Sequence, residues 1–192
     1  RIGDLQSKLE LAQGKIDRVL AVFTPGDRPP ALESEVLRVR GAALLARRRI
    51  DEADQAFRRG LELAPSAALH MGMSRVAAAR QDNAGVMREV EAALAIDPNY
   101  VEALVTRADA KRSAGDRAGA SEDLERALAQ DPRNVIGRLM RASIAIEQNQ
   151  LDDANRDIDA VLAEQPRNPL ALYHRALARL RAGNVTAAAE AM

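Results

Sequence analysis

The chain contains no cysteine and no tryptophan. Without Cys there is no disulfide framework, no thiolate metal site and no Cys nucleophile. Its only aromatic residues are Phe23, Phe57, Tyr100 and Tyr173, so large rings cannot fill a conventional core. Histidine occurs only at positions 70 and 174, too few and too far apart for a His-based zinc site. Neither charge dominates: 28 Lys and Arg balance 28 Asp and Glu over 192 residues. A general nucleic-acid or membrane-surface binder normally carries a basic excess, and that class is set aside. No apolar run approaches the length of a membrane span, and no direct membrane insertion is expected. A Gly-rich phosphate loop, a Ser nucleophile elbow and a convergent carboxylate pair are all missing, which leaves an enzyme reading and a cofactor without support.

What is abundant is alanine, about a fifth of the chain, among Glu, Leu and Arg. That composition belongs to long helices and helical arrays. The decisive signal is a period. Prolines stand at 65, 98, 132 and 166, spaced by 33, 34 and 34 residues. Small residues repeat in register with them: Gly41, Ser74, Ala108, Ala142 and Ala176 form one series. Ala53, Ala120, Ala154 and Ala188 form a second, which Val86 interrupts, and Gly60, Ala93 and Ala127 a third, broken by Val161. Small side chains at fixed places let neighbouring helices approach to about 8–10 Å between axes.

Each period reads as two helices and a tight turn. The turns are marked by Gln81-Asp82-Asn83, Gly115-Asp116, Asn149-Gln150 and Gly183-Asn184, residues that tolerate left-handed or capping conformations. Proline ends the second helix because its ring has no N–H for the ladder. Asn134 and Asn168 are expected N-caps, and Pro169 suits a first helical position. The run Arg47-Arg48-Arg49 is read as a helix C-terminus favoured by the helix dipole, not as a nucleic-acid patch. Residues 1–33 are read as a degenerate first repeat, with a turn at Gln13-Gly14, Phe23 in the place of Phe57, and a turn-rich loop "TPGDRPP". Units then follow at 34–66, 67–100, 101–134 and 135–168, with a truncated unit at 169–192. The opening on Arg1 and the stop inside a helical run predict a piece of a longer protein.

This pattern resembles the tetratricopeptide repeat, whose period of about 34 residues carries small residues at those three places, an aromatic between the last two and a late proline. The unit ending at Pro65 matches best, with Gly41, Ala53, Phe57 and Pro65 in place, whereas the early Trp and Tyr of the family are missing throughout. The resemblance implies an all-α fold, a right-handed α-solenoid of antiparallel helix pairs forming one continuous domain. It also implies a non-enzymatic scaffold that binds a peptide or helix of another protein on a concave face lined by the first helices. Carrying the groove positions of the family over residue by residue names Arg38, Met71, Arg75, Glu102, Asp109, Arg112, Ile136, Leu139, Ser143, Tyr173 and Leu177. The expected groove is mixed in charge at its centre and apolar toward its C-terminal end. That apolar end either binds a partner or is covered by further repeats, and weak self-association through the last unit is a further expectation. Arg75 and Asp109, at equivalent places, are also candidates for a simple surface pair. The carboxylate clamp of the chaperone-adaptor repeats is not reproduced, since Arg38 is followed by Ala42 and that row holds no Asn.

Two stretches, "LELAQGKIDRVLAVF" and "NPLALYHRALARLRAGNVTAAAEAM", are similar to the PrsT family of repeat lipoproteins. That resemblance implies a role in a bacterial exopolysaccharide and protein-sorting (PEP-CTERM/exosortase) cell-envelope system, and a periplasmic or outer-membrane-associated setting. The alternative is a regulatory or targeting repeat domain attached to a catalytic domain, such as a glycosyltransferase, outside these residues.

Overall fold

A computed structural model describes the backbone of residues 14–190 and the side chains of residues 14–183. The described residues are helical, without strands. They divide into two compact units, residues 1–98 and residues 99–192, a boundary that falls on the second of the evenly spaced prolines.

In the first unit, α1 spans 14–22, followed by α2 (Pro30–Ala46), α3 (Ile50–Leu63), α4 (Ala67–Ala79) and α5 (Asn83–Ile96). Helix α2 pairs with α3 and α4 with α5, while α4 also packs on α3 and α2. The second unit repeats the plan with α6 (Val101–Ser113), α7 (Arg117–Gln130), α8 (Val135–Glu147), α9 (Leu151–Glu164) and α10 (Pro169–Glu190). Here α6 pairs with α7 and α8 with α9, and α10 packs on both α9 and α8.

The boundaries follow from local chemistry. Helices α3, α5, α7 and α9 each end two residues before a proline, and the intervening C-cap has departed from helical geometry, as at Asp97 (φ −130°, ψ 99°). The ring of a proline disfavours helical geometry in the residue before it, and that is what stops these helices. The turn inside each pair holds one residue in the left-handed region: Arg48, Gln81, Gly115 and Asn149, at the repeat spacing. Asp82 and Asp116 then cap α5 and α7 by accepting from the amides of Gly85 (2.8 Å) and Gly119 (2.9 Å). Asn134 accepts from Gly137 N–H at 2.9 Å, and Asn168 from Leu170 and Ala171 at 3.1 and 3.0 Å. Each such cap is worth about 1 kcal/mol and sets where the first residues of its helix point.

Packing bears out the small-residue register. Ala53, Ala93, Ala108, Ala120, Ala127, Ala142 and Ala154 are all fully buried. In the first unit the ring of Phe57 fills the space that Gly41 and Gly72 leave: a Cβ on either would lie 2.6 or 2.5 Å from it. In the second unit Leu124, Ile144, Ile158 and Val161 take over that filling.

Three expectations are corrected. No turn forms at Gly183-Asn184, because α10 runs unbroken to Glu190. A helical glycine costs only about 1 kcal/mol relative to alanine, and the following Ala187–Ala189 favour helix strongly. With no helix returning there, Ala176 is exposed rather than buried; the side chain of Ala188 lies outside the described ones. Phe23 is no counterpart of Phe57. It stands just past the end of α1, half-buried, and Arg40 Nη1 donates to its carbonyl and, at 2.8 Å, to that of Leu20. The third correction is at Pro30, which belongs to α2 and not to the loop, since it occupies a first helical position. Glu33 turns back to accept from Gly26 N–H (3.0 Å) and Arg28 (2.7 Å), tying down the loop before it. The expected helix before Gln13 lies outside the described residues, and Gly14 is already helical.

Candidate functional site

In the second unit the first helices of successive pairs, α6, α8 and α10, stand side by side and form a wall. The Asn134 and Asn168 caps set the starts of α8 and α10, and this places Ile136 and Leu170 near the top of the wall. Both are largely exposed, 64% and 51%, as is Tyr173 at 57%. Between Ile136 and Leu170 opens a pocket of about 420 Å³, lined by Arg112, Ile136, Leu139, Ser143, Leu170 and His174 among others. Contiguous apolar exposure of this kind marks contact surfaces, and isolated exposed Leu or Ile does not.

Two polar groups at this pocket stand out. Arg112 Nη2 donates to Asp109 Oδ1 at 3.0 Å, but its Nε–H is buried and has no acceptor. His174 is only 8% exposed, its Nδ1 also lacks a partner, and its ring meets that of Tyr173 edge-on at 5.6 Å. Burial alone pushes the His174 imidazole below its usual range, because a charged ring would be poorly solvated there.

Of the residues expected to line a groove, Glu102, Asp109, Arg112, Ile136, Ser143, Tyr173 and Leu177 lie on these three helices with their side chains at least partly accessible. Leu139 is corrected to a core position: it is 2% exposed, tucked among Ala142, Ile146, Ala171 and Ala178, and only its edge reaches the pocket. The alanines of α10 make that room. Met71 is likewise a core residue at 2% exposure. Its helix α4 has α2, α3 and α5 packed around it, so Leu69 and the run from Met71 to Ser74 are all withdrawn from water. In the first unit Arg38 pairs with Glu35 of its own helix through Nε at 2.8 Å, and that guanidinium holds the Glu35 carboxyl below its usual range. Arg75 is exposed on α4.

Sequence reasoning missed a set of polar contacts between paired helices. An acid recurs nine places before three of the prolines: Glu89, Asp123 and Asp157. Glu89 meets His70 Nδ1 at 2.8 Å. Asp123, buried, accepts from Arg107 (2.8 and 2.7 Å) and Lys111 (2.8 Å). Asp157, also buried, accepts from Arg138 (3.0 Å) and Arg141 (2.7 and 2.8 Å). Burial by itself would raise the Asp123 carboxyl, but the hydrogen bonds from Arg107 and Lys111 outweigh it and hold the group ionised. The signal was the repeat register itself, since an acid recurring at one place cannot be a random surface charge.

Residues 105–154 and 139–192 match the family model described as the tetratricopeptide repeat. The matched residues, 105–192, are tetratricopeptide repeats. The array is similar in fold to several solved structures. A tetratricopeptide repeat protein from Parabacteroides merdae is 18% identical, covering 96% of this chain and 71% of that one, with a TM-score of 0.62. YrrB, described as a repeat protein with an unusual peptide-binding site, is 17% identical over 88% of this chain and 87% of its own, with a TM-score of 0.57. Yeast Tom70 is 18% identical, with a TM-score of 0.62; 88% of this chain covers 40% of it. No curated protein matches by sequence. An array of tetratricopeptide repeats is an all-α fold whose general work is to hold other proteins.

Proposed function

We propose that this tetratricopeptide array is a non-enzymatic interaction scaffold that seats a peptide or helix of another protein on the α6–α8–α10 wall. The observation that carries the reading is a pocket lined by exposed Ile136 and Leu170, with a small number of polar groups beside it and exposed Tyr173 on the same helix as Leu170. Concave, mostly apolar sites with a few placed polar groups are where ligands bind. Asp109, Arg112, Ser143, Glu102 and Leu177 border that surface. Arg38 and Arg75 offer a separate, polar surface on the first unit. No helix among the described residues is long and apolar enough to cross a membrane.

Displayed random peptides provide the test. Ile136→Asp and Tyr173→Ala are expected to weaken the selected peptides at least about tenfold, the size of effect a buried interface anchor has. Unchanged capture by both variants would place binding elsewhere. The cell-envelope setting rests on the likeness of residues 9–23 and 168–192 to the exopolysaccharide-system repeat lipoproteins, and fractionation of the native host with recovery of the chain away from the envelope would remove it.

A further inference from the structure

The guanidinium of Arg112 is half used. Its Nη2 reaches Asp109, one turn back on the same helix, while Nε–H is buried without an acceptor. A guanidinium presents Nε–H and a neighbouring Nη–H as a parallel pair that matches both oxygens of one carboxylate. A buried N–H with no acceptor is unfavourable, and an acceptor delivered by a ligand removes that deficit.

The surroundings say what else the ligand carries. Apart from Arg112, the pocket wall is apolar or neutral: Ile136, Leu139, Met140, Ser143, Leu170 and His174. No Asp or Glu lines it among the described residues. Its volume of about 420 Å³ admits a Leu or Phe side chain with the backbone on either side. His174 gives a second, independent sign of a site, being more than nine-tenths buried at the same pocket with Nδ1 lacking any partner in the protein. Exposed Ile136 and Tyr173 extend the apolar surface beyond the pocket, so a bound chain continues past it and does not end there.

We infer that this pocket recognises an acidic-apolar peptide segment: a bulky apolar side chain enters between α8 and α10, and the carboxylate of an adjoining internal Asp or Glu takes the Nε–Nη edge of Arg112. The inference rests on the proposed wall as the binding surface and adds the chemistry of the partner. Asp109 acts as the stand-in that holds the guanidinium until the ligand arrives.

An array of short peptides, all amidated at the C-terminus, tests it on the full chain. Each has a central Leu or Phe, with Glu, Gln or Lys at the flanking positions. Wild type is expected to prefer the Glu peptides over their Gln counterparts by about tenfold, as charge-assisted bidentate pairs do over neutral ones. Arg112→Gln should erase that preference. Arg112→Lys, which keeps the charge but loses the fork, should retain only part of it. Equal binding of Glu and Gln peptides, or a preference that survives Arg112→Gln, overturns the inference while the wall stands as the binding surface. Peptide binding that Ile136→Asp leaves intact overturns the wall itself and the inference with it.

Discussion

The two units hold the same helix pairs together by different means. In the first, at the place nine residues before Pro65, stands Ala56, a buried apolar residue, and the pair is locked by the Phe57 ring pressed against Gly41 and Gly72. In the second, the corresponding places hold Asp123 and Asp157, each buried and each held by two cations from the partner helix. The α2–α3 pair thus relies on shape, whereas the pairs of the second unit add polar satisfaction, as α4–α5 does more weakly through Glu89 and His70. The ring's own place is held in the second unit by Leu124 and Ile158, so each carboxylate adds a polar lock beside an apolar one.

The ring should be the more sensitive of the two. Phe57→Ala removes a fully buried side chain from between two glycines that cannot move in to fill the gap. A loss of about 3–5 kcal/mol is expected in chemical denaturation. Gly72→Ala attacks the same contact from the other side, because its Cβ would overlap the ring, and it should cost about 1–3 kcal/mol. If both variants unfold at the wild-type denaturant concentration, the ring is not what locks the first unit.

The ion pairs should show a different signature. Asp123→Ala removes the carboxylate that Arg107 and Lys111 share. Both keep partial access to water, so the expected loss is about 1–3 kcal/mol, short of that for a fully trapped charge. Replacing the acid and both cations with apolar residues of similar size should restore most of the stability, as it does where buried pairs serve geometry more than energy. A triple variant no more stable than Asp123→Ala would show that the cluster stabilises the unit in its own right. For wild type, the Asp123 contribution is full above the ordinary carboxylate range and is lost as pH falls through the depressed value of the folded state.

Much of the architecture could be read from the chain because it depends on backbone rules that act locally. Proline stops, the turns at Gln81, Gly115 and Asn149, and the Asn134 and Asn168 caps all need only neighbouring residues. Arg48 also takes the left-handed turn position, though nothing in its side chain announces it; the register does. The errors came where a residue depends on a helix packed beside it. Gly183 has the composition of a turn, but a turn needs a returning helix to hold it, and α10 continues instead. Met71 and Leu139 occupy groove places by number, yet long apolar side chains sink wherever a neighbour offers alanine or glycine. Tyr173, at the equivalent place on α10, stays at the surface. The pocket itself was half legible: Arg112, Ile136, Leu139 and Ser143 were expected to face a groove, whereas the unmatched Nε of Arg112 and the burial of His174 are properties of three helices at once.

The smallest effect is expected from His174, and it separates the units by pH. Burial lowers the folded-state value of this ring from the ordinary 6.5. Above that ordinary value the ring is neutral whether folded or unfolded, and stability is independent of it. As pH falls below it, the unfolded chain takes up a proton that the folded chain refuses, so stability declines until the depressed folded value is passed and then levels off. His174→Phe keeps the shape of the ring and its contact with Tyr173 but cannot titrate. The wild-type chain should therefore lose stability relative to this variant on mild acidification, with the difference confined to the second unit when followed by amide hydrogen exchange. His70, beside Glu89 in the first unit, is present in both proteins and cancels from the difference. A difference that does not change with pH would mean that the ring reaches water freely, and that the wall around the pocket is more open than its packing indicates.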